Sequence, residues 1–294
     1  MSTKRAELLM LFVTFCWGSS YLFMQENLST IGLCWLLVWR FGIAFAARAL
    51  LLGRAWRKVN RELLRVSALV GLLTAISFMG MVLGLEYTTT SNAGFMMSTM
   101  VIFIPFVERF VYHRALSRSI LATTATACLG IACLTLHDGL RLNPGDLLCL
   151  GAALLNAIQV SYTSRLLVRM DPITIGVLQF GFTSLFGLVP ALLFETPAAP
   201  VGFMGWFGIL YLGLICSAFG FTAQFVAQKY TSAERIGILF CLEPVFATML
   251  GVIVLHEPFG LMSAAGAALV LASVVLSGRS GENDTPQALQ ESQG

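Results

Sequence analysis

The most informative feature of this 294-residue sequence is how little charge it carries. Asp, Glu, Lys and Arg together make up 11% of the residues, whereas a soluble domain is about one quarter charged. Apolar residues make up 57%, and the mean hydropathy is +0.82, which excludes an ordinary soluble domain. The net charge of +3 comes from basic residues that lie beside apolar runs and form no stripe, so we expect no nucleic-acid partner.

Signals for metal, disulfide or catalytic chemistry are also missing. The seven cysteines lie inside apolar runs without C-x-x-C spacing, and none of the three histidines is followed by a second ligand three or four residues later. All four aspartates fall outside the middle of the apolar runs, and neither an H-E-x-x-H nor a G-x-S-x-G motif occurs. We therefore predict no metal, no cofactor and no enzymatic activity.

What the sequence does contain is a series of long apolar runs. A helix needs about 20 apolar residues to cross a bilayer. Ten runs of about that length occur between polar or Gly/Pro breaks, at 6–24, 31–52, 66–86, 91–112, 119–136, 146–168, 173–194, 203–227, 233–255 and 260–277. They predict an all-α integral membrane protein with ten transmembrane helices in a lipid bilayer. The polar tail, residues 278–294, is predicted to be disordered because it has too few apolar residues to fold alone.

The basic residues orient the predicted helices. With the N-terminus in the cytoplasm, 16 of the 18 Lys and Arg fall in inner segments, Arg141 falls in an outer loop and Arg40 lies within a helix. Membrane proteins keep an excess of Lys and Arg in their cytoplasmic loops. We therefore expect a multi-pass protein of the cytoplasmic (inner) membrane with both termini in the cytoplasm.

The predicted helices divide into two related halves. An ungapped shift of 143 residues aligns Tyr87-Thr88 with Tyr230-Thr231, and it superposes the fourth and fifth apolar runs on the ninth and tenth. Since five helices per half is an odd number, the second half must cross the membrane in the opposite direction. The sequence therefore predicts two inverted repeats, residues 1–140 and 141–277, followed by the cytoplasmic tail.

Several short motifs resemble those of one known family. They are similar to motifs of the drug/metabolite transporter (DMT) superfamily, EamA type, and the resemblance covers the chain to about residue 277. The motifs are Trp17-Gly18-Ser19, Arg40-Phe41, Tyr87-Thr88, Gly145-Asp146, Leu242-Glu243-Pro244 and His256-Glu257-Pro258.

This resemblance implies a ten-helix carrier that binds its substrate between two five-helix halves. We expect an exporter of small polar metabolites such as amino acids, which works by alternating access between inverted repeats. A channel-like or non-transport membrane protein is the alternative interpretation. The substrate, the direction of transport, the coupling ion and the choice between a monomer and a homodimer are left open by the sequence.

Two ionisable side chains, Arg40 and Glu243, lie deep in the apolar runs. A charge at the bilayer centre costs about 2.5 to 3.5 kcal/mol on insertion scales, so each needs a partner or a function. At a rise of 1.5 Å per residue, their depths differ by only about 4 to 5 Å. We predict that Arg40 binds a substrate carboxylate and that Glu243 is its resting counter-ion or a proton-linked acid. The alternative is a purely structural role, either as an ion pair or through hydrogen bonds to the backbone freed near Pro244.

Uncharged polar and aromatic residues complete the predicted substrate site. Inside an apolar run, an amide or hydroxyl either faces a cavity or joins two helices. The candidates are Trp17, Ser19, Tyr21, Asn92, Ser98, Asn156, Gln159 and Gln179. The fifth and tenth runs instead contain small residues such as Gly130 and Gly266, which predict close helix contact.

The charge pattern gives a testable topology. In a cysteine-free background, single cysteines placed between Thr196 and Val201, or between His256 and Gly260, should react with a membrane-impermeant thiol reagent added outside the cell. Cysteines placed near Arg114 are the control, and they should react only after the inner face is made accessible. Reaction of the Thr196–Val201 loop only under that second condition would contradict the predicted orientation.

Overall fold

A computed structural model gives the fold, and it describes residues 1–52, 56, 59–88, 90–135, 143–255 and 260–280. Within those ranges the chain is helical and forms no β-strand. The α-helices are α1 (Thr3–Ile31), α2 (Leu33–Leu52), α3 (Arg61–Leu85), α4 (Thr90–Ser98), α5 (Met100–Phe110), α6 (Arg118–Thr135), α7 (Pro144–Leu166), α8 (Pro172–Phe194), α9 (Gly202–Leu210), α10 (Gly220–Gln228), α11 (Ala233–Phe240), α12 (Leu242–Leu255) and α13 (Leu261–Ser280). A π-helical segment, Tyr211–Phe219, joins α9 to α10.

Six helical stretches are long and apolar enough to cross a membrane. They are Leu33–Leu50, Arg61–Leu85, Ala93–Phe110, Pro144–Leu166, Pro172–Phe194 and Gly202–Gln228. Two shorter apolar helical stretches are Arg118–Cys133 and Leu261–Ser277. The fold is therefore that of a multi-pass helical membrane protein, whereas the count of ten helices and the inversion of the halves stay predictions. The outer loop predicted around residues 256–259, Arg141, and the tail from residue 281 onwards lie outside the described residues.

Two of the predicted membrane-spanning runs are divided within one residue of corresponding positions. The run 91–112 is divided at Thr99, between α4 and α5, and the run 233–255 is divided at Cys241, between α11 and α12. The backbone angles are nearly identical, with φ −62° and ψ −11° at Thr99 and φ −62° and ψ −12° at Cys241. At each junction the amide donates to the carbonyl three residues earlier, as in a 3₁₀ turn. The corresponding helices of the two halves therefore share one local change of winding.

Contacts between helices join the two halves of the chain. Helix α2 lies against α8, α3 lies against both α7 and α8, and α6 lies against α13. Helix α1 lies against α10 and α12. Because most of these contacts cross between the halves, each half buries much of its helical surface on the other.

Helices α6 and α13 approach each other through small residues. A Cβ atom added at Gly130 would lie 2.7 Å from the Val270 amide nitrogen and 2.9 Å from the Gly266 carbonyl oxygen. A side chain at this position would press on backbone atoms that cannot move aside, so glycine is required for the close approach. The small residues of the fifth and tenth runs therefore serve helix contact, as the sequence predicts.

This contact predicts the effect of adding one methyl group. Gly130→Ala should lower the melting temperature of the purified protein in detergent, because overpacking of this kind costs about 1 to 3 kcal/mol. Gly151→Ala is the matched control, since a Cβ atom there meets nothing within 4 Å and alanine is the better helix former. A Gly130→Ala protein as stable as the Gly151→Ala protein would contradict the close contact.

Candidate functional site

A hydrogen bond between the first helix and the π-helical segment lies at the centre of the candidate site. The Trp17 indole N–H donates to the Cys216 carbonyl oxygen at 2.7 Å, between residues 199 positions apart. In an α-helix that carbonyl would accept from the amide of Gly220. The Gly220 amide donates instead to the Ile215 carbonyl, five residues earlier, and to the Ser217 carbonyl, three residues earlier. The bond to Ile215 follows the π-helical pattern. Trp17 therefore stabilises the wide winding of this segment.

Gly220 leaves room for the indole ring. A Cβ atom at this position would lie 2.7 Å from the Trp17 Nε1 atom. The Trp17 ring also contacts the rings of Phe221 and Phe240, with centroid distances of 5.1 and 5.3 Å. Residues of α10, α11 and the π-helical segment thus hold the indole in one orientation.

Arg40 reaches from α2 to the same π-helical segment. Its side chain is 4% exposed, and its Nε–H donates to the Ser217 hydroxyl at 2.7 Å. A terminal guanidinium nitrogen lies 3.8 Å from the Met24 sulfur, and the guanidinium carbon lies 4.9 Å from the centre of the Phe78 ring. The ring face stabilises the cation, so a buried positive charge is held where α1, α2, α3 and the π-helical segment meet.

Ser19 and Tyr211 extend this arrangement toward the start of the π-helical segment. Their hydroxyl oxygens are 2.6 Å apart. The Ser19 hydroxyl donates to the Cys16 carbonyl at 2.7 Å, so it can accept from Tyr211 at the same time. We call the following residues the central cluster: Trp17, Ser19, Arg40, Tyr211, Cys216 and Ser217.

Glu243 lies at the start of α12, where this helix approaches α1. A Cβ atom at Gly18 would lie 2.9 Å from the Glu243 carbonyl oxygen, so the two backbones nearly touch. The Glu243 side chain is half-buried. Because Gly18 lies between Trp17 and Ser19, this backbone contact puts the start of α12 beside the central cluster.

Of the two predicted glutamines, Gln159 belongs to a second polar region, between α7 and α10, and Gln179 lies on α8. The Thr163 hydroxyl lies 2.8 Å from the Gln159 carbonyl and 3.1 Å from the Gln228 Oε1 atom, and it joins α7 to α10. Gln179 is fully buried, and neither polar atom of its side chain has a hydrogen-bond partner among the described residues. Buried amides of this kind are normally satisfied by water or by a ligand, and sequence reasoning missed Gln228 and Thr163.

The remaining predicted residues are not joined to either group by a described contact. The Ser98 hydroxyl donates to the Gly94 carbonyl of its own helix at 2.8 Å, and Asn156 is half-buried on α7. Tyr21 and Asn92 belong to α1 and α4, but their side chains lie outside the described part of the structure.

Sequence reasoning also missed a group of paired charges at one end of the molecule. Arg165, at the end of α7, donates to Glu108, at the end of α5, at 2.7 Å. Arg114 lies 3.5 Å from Glu234, at the start of α11. Glu108 and Glu234 are only 2% and 4% exposed. In the sequence both acids lie near the ends of apolar runs, where boundary charges are ordinary, so only the structure reveals that they are buried.

Two further contacts belong to the same end. Arg235 of α11 pairs with Glu7 of α1 and lies 3.3 Å from the Ser277 hydroxyl of α13. The Arg165 guanidinium lies 3.9 Å from the centre of the Tyr112 ring, a cation–π contact. We call this end of the molecule, where α1 and α11 begin and α5 and α7 end, the charged end.

The chemistry available in and beside the central cluster is charge and hydrogen bonding. It comprises the Arg40 guanidinium, the Glu243 carboxylate, the indole N–H and three hydroxyl groups. In the described ranges, no three His, Cys, Asp or Glu side chains lie together as metal ligands. Such an arrangement can bind a small anionic or zwitterionic solute by direct polar contacts.

The apolar helices and the polar groups buried between them show that the protein is a multi-pass helical membrane protein. The model of the EamA-like transporter family matches the chain twice, over residues 4–136 and 143–279. The chain therefore belongs to the EamA-like transporter family, which confirms the resemblance seen in the sequence, and it is a membrane transporter.

Named relatives agree with this assignment. A protein of Archaeoglobus fulgidus described as an uncharacterized transporter is 25% identical over 290 residues, which cover 93% of this chain and 97% of the relative. A second such protein of that organism is 28% identical over 214 residues, 70% of this chain and 66% of the relative. YoaV of Bacillus subtilis (strain 168), another uncharacterized transporter, is 22% identical over 275 residues, 90% of this chain and 94% of the relative.

A solved crystal structure shares the fold. It superposes with a TM-score of 0.78 at 18% sequence identity and covers 93% of this chain and 96% of its own. At that identity the likeness concerns the fold alone.

The role of Trp17 can be tested with a matched pair of substitutions. Trp17→Phe and Trp35→Phe each remove one indole N–H donor. The Trp35 indole nitrogen, however, has no hydrogen-bond partner among the described residues. A hydrogen bond contributes about 0.5 to 1.5 kcal/mol net. Trp17→Phe should therefore lower the melting temperature in detergent more than Trp35→Phe does. Equal shifts would contradict the role of Trp17 in stabilising the π-helical segment.

Proposed function

We propose that this transporter exports small polar metabolites that carry a carboxylate, such as amino acids, and binds them at the central cluster. The observation that carries the proposal is the Arg40 guanidinium, which is 4% exposed and contacts both α1 and the π-helical segment. Because an intramembrane charge is costly, by about 2.5 to 3.5 kcal/mol on insertion scales, such groups commonly mark substrate pathways.

The contacts of Arg40 suit exchange with a substrate carboxylate. The Ser217 hydroxyl and the Met24 sulfur are neutral acceptors, and a thioether is a weak one. A carboxylate would accept two charge-assisted hydrogen bonds from the guanidinium, each about twice as strong as a neutral one. Glu243 would then serve as the resting counter-ion of Arg40 or as a proton-linked acid.

The other candidates are assigned to the same pathway. Trp17 and Ser19 belong to the central cluster, Gln159 belongs to the second polar region, and Gln179 is buried on α8. Unsatisfied amide atoms of both glutamines favour contact with a polar solute. Four more stay candidates on sequence grounds: Tyr21, Asn92, Ser98 and Asn156.

We infer ten membrane-spanning helices in two inverted repeats, residues 1–140 and 141–277, with alternating access between them. The helix contacts support this arrangement. If the halves are equivalent, α3, α5 and α7 correspond to α10, α12 and α1. Helix α3 contacts α7, and α10 contacts α1 in the same way. Helix α5 also contacts α7, and α12 contacts α1. The shared winding at Thr99 and Cys241 also favours equivalent halves. Two such halves can exchange conformations and open one central site to each face in turn.

We place the charged end and both termini in the cytoplasm and the protein in the cytoplasmic membrane. The support is the distribution of basic residues, since 16 of the 18 Lys and Arg then lie on the inner side. The polar tail, residues 278–294, would extend into the cytoplasm.

Transport by purified protein tests the proposal. In proteoliposomes the protein should move at least one carboxylate-bearing metabolite with saturation. Arg40→Lys keeps the charge but loses the bidentate geometry, so we expect about tenfold weaker binding or more, equivalent to about 1.4 kcal/mol, at a near-normal melting temperature. Binding, transport and melting temperature should also be measured for Arg40→Gln, for Glu243→Gln and for the double variant Arg40→Gln/Glu243→Gln.

The double change separates the two roles of Arg40. If Arg40 and Glu243 only balance each other, the double variant should recover the stability that each single variant loses. If Arg40 binds substrate, transport should stay lost in that stable double variant. Wild-type affinity in a folded Arg40→Gln protein would contradict the binding role. Absence of transport across amino acids, their analogues and nucleoside-like metabolites would contradict the metabolite proposal.

A further inference from the structure

Three ion pairs in the described part of the chain join one half to the other. In each pair, one partner lies in residues 1–140 and the other in residues 141–277, and every pair lies at the charged end. The pairs are Glu108 with Arg165, Arg114 with Glu234, and Glu7 with Arg235.

Two of these pairs involve acids that are almost completely buried. Glu108 and Glu234 are 2% and 4% exposed, and each repels the other electrostatically. A buried carboxylate is tolerated only when cations or hydrogen bonds compensate it, and losing one partner leaves a costly uncompensated charge. Arg165 and Arg114 therefore hold the end of α5 against α7 and the start of α11 against the loop that follows α5.

Helices α5 and α11 form an apolar contact between these acids and the central cluster. A Cβ atom at Gly237 would lie 2.6 Å from the Ile104 Cδ1 atom. Ile104 and Ile236 are fully buried. One turn further, the Phe240 ring meets the Trp17 ring of the central cluster. Helices α5 and α11 thus close the route from the charged end to the central cluster.

Both helices are short, and each has one end at a junction described above. Helix α5 begins after Thr99, and α11 ends before Cys241. A change of backbone angles at these two residues would tilt α5 and α11 while α4 and α12 stay in place, as in other hinged segments.

The opposite end joins the halves in a different way. The Glu195 carboxylate accepts from the Cys34 amide at 2.9 Å and from the Trp35 amide at 3.1 Å, at the start of α2. At the shift of 143 residues that aligns the halves, Glu108 corresponds to Gly251 and Glu234 to Ser91, which carry no charge. The two buried carboxylates that pair with arginines across the halves lie at the charged end, whereas the buried Asp146, at the opposite end, accepts a hydrogen bond from the Thr88 hydroxyl of the other half.

We propose that Glu108–Arg165 and Glu234–Arg114 form a gate at the charged end, which must separate before the central cluster opens to that side. The closed gate consists of the two ion pairs and the Ile104–Gly237 contact beneath them. Opening moves α5 and α11 apart and exposes the buried carboxylates of Glu108 and Glu234 to water. This gate rests on the proposed alternating access, but its test requires no transported substrate.

A cysteine between α5 and α11 would report the opening. In a cysteine-free protein, Ile104→Cys should react slowly with a membrane-impermeant thiol reagent added at the charged end. Adding Glu108→Gln or Glu234→Gln should raise that reaction rate about tenfold, since about 1.4 kcal/mol less stability of the closed state shifts the population by that factor. The charge-swapped pair Glu108→Arg/Arg165→Glu should react more slowly than Glu108→Gln alone.

Asp171→Asn is the matched control. Asp171 is also an acid in a loop at the charged end, but its described hydrogen bonds go to Thr174 within its own half, so the reaction rate should not change. Size-exclusion chromatography identifies variants that fold, and Glu108→Gln and Glu234→Gln test the gate independently. Unchanged rates in both folded variants, or an equal increase with Asp171→Asn, would overturn the gate. Such a result would leave the transport proposal standing, because transport is measured separately.

Discussion

The hydrogen bond from the Trp17 indole to the Cys216 carbonyl organises the interior of this transporter. It takes the acceptor that the Gly220 amide would use in an α-helix, so the chain winds more widely from Tyr211 to Phe219. The same segment then supplies Ser217 to Arg40 and Tyr211 to Ser19. One side chain of the first half thus fixes how the second half presents its polar groups, and this coupling requires a glycine at position 220 because any side chain there would meet the indole.

Irregular backbone is possible at this depth only because the protein itself encloses it. Lipid offers no hydrogen bonds, so every backbone polar group in the membrane must be satisfied internally. At the π-helical segment the indole provides the missing partner. At Thr99 and Cys241 the amide bonds one residue closer than in an α-helix. In the inverted-repeat folds of other transporters, interrupted helices line the substrate site, and the proposed function places this chain among them.

Charge is used differently at the centre and at the charged end. The contacts of Arg40 include a hydroxyl, a sulfur atom and aromatic rings, and these neutral groups can give way to a stronger acceptor. Glu108 and Glu234 are instead paired with arginines across the two halves. Neutral contacts suit a site that must exchange ligands, whereas ion pairs across an interface suit a contact that is either made or broken.

The sequence by itself determined the class of fold and the family, because apolar runs and short motifs are local properties of the chain. It also predicted close contact through Gly130, since small residues in a membrane helix have few other uses. The π-helical segment could not be predicted, because its cause, Trp17, lies 199 residues from Cys216. Glu108 and Glu234 look like ordinary boundary charges until the other half covers them. Only the tertiary structure decided these features, because each depends on an atom that the opposite half of the chain brings into contact.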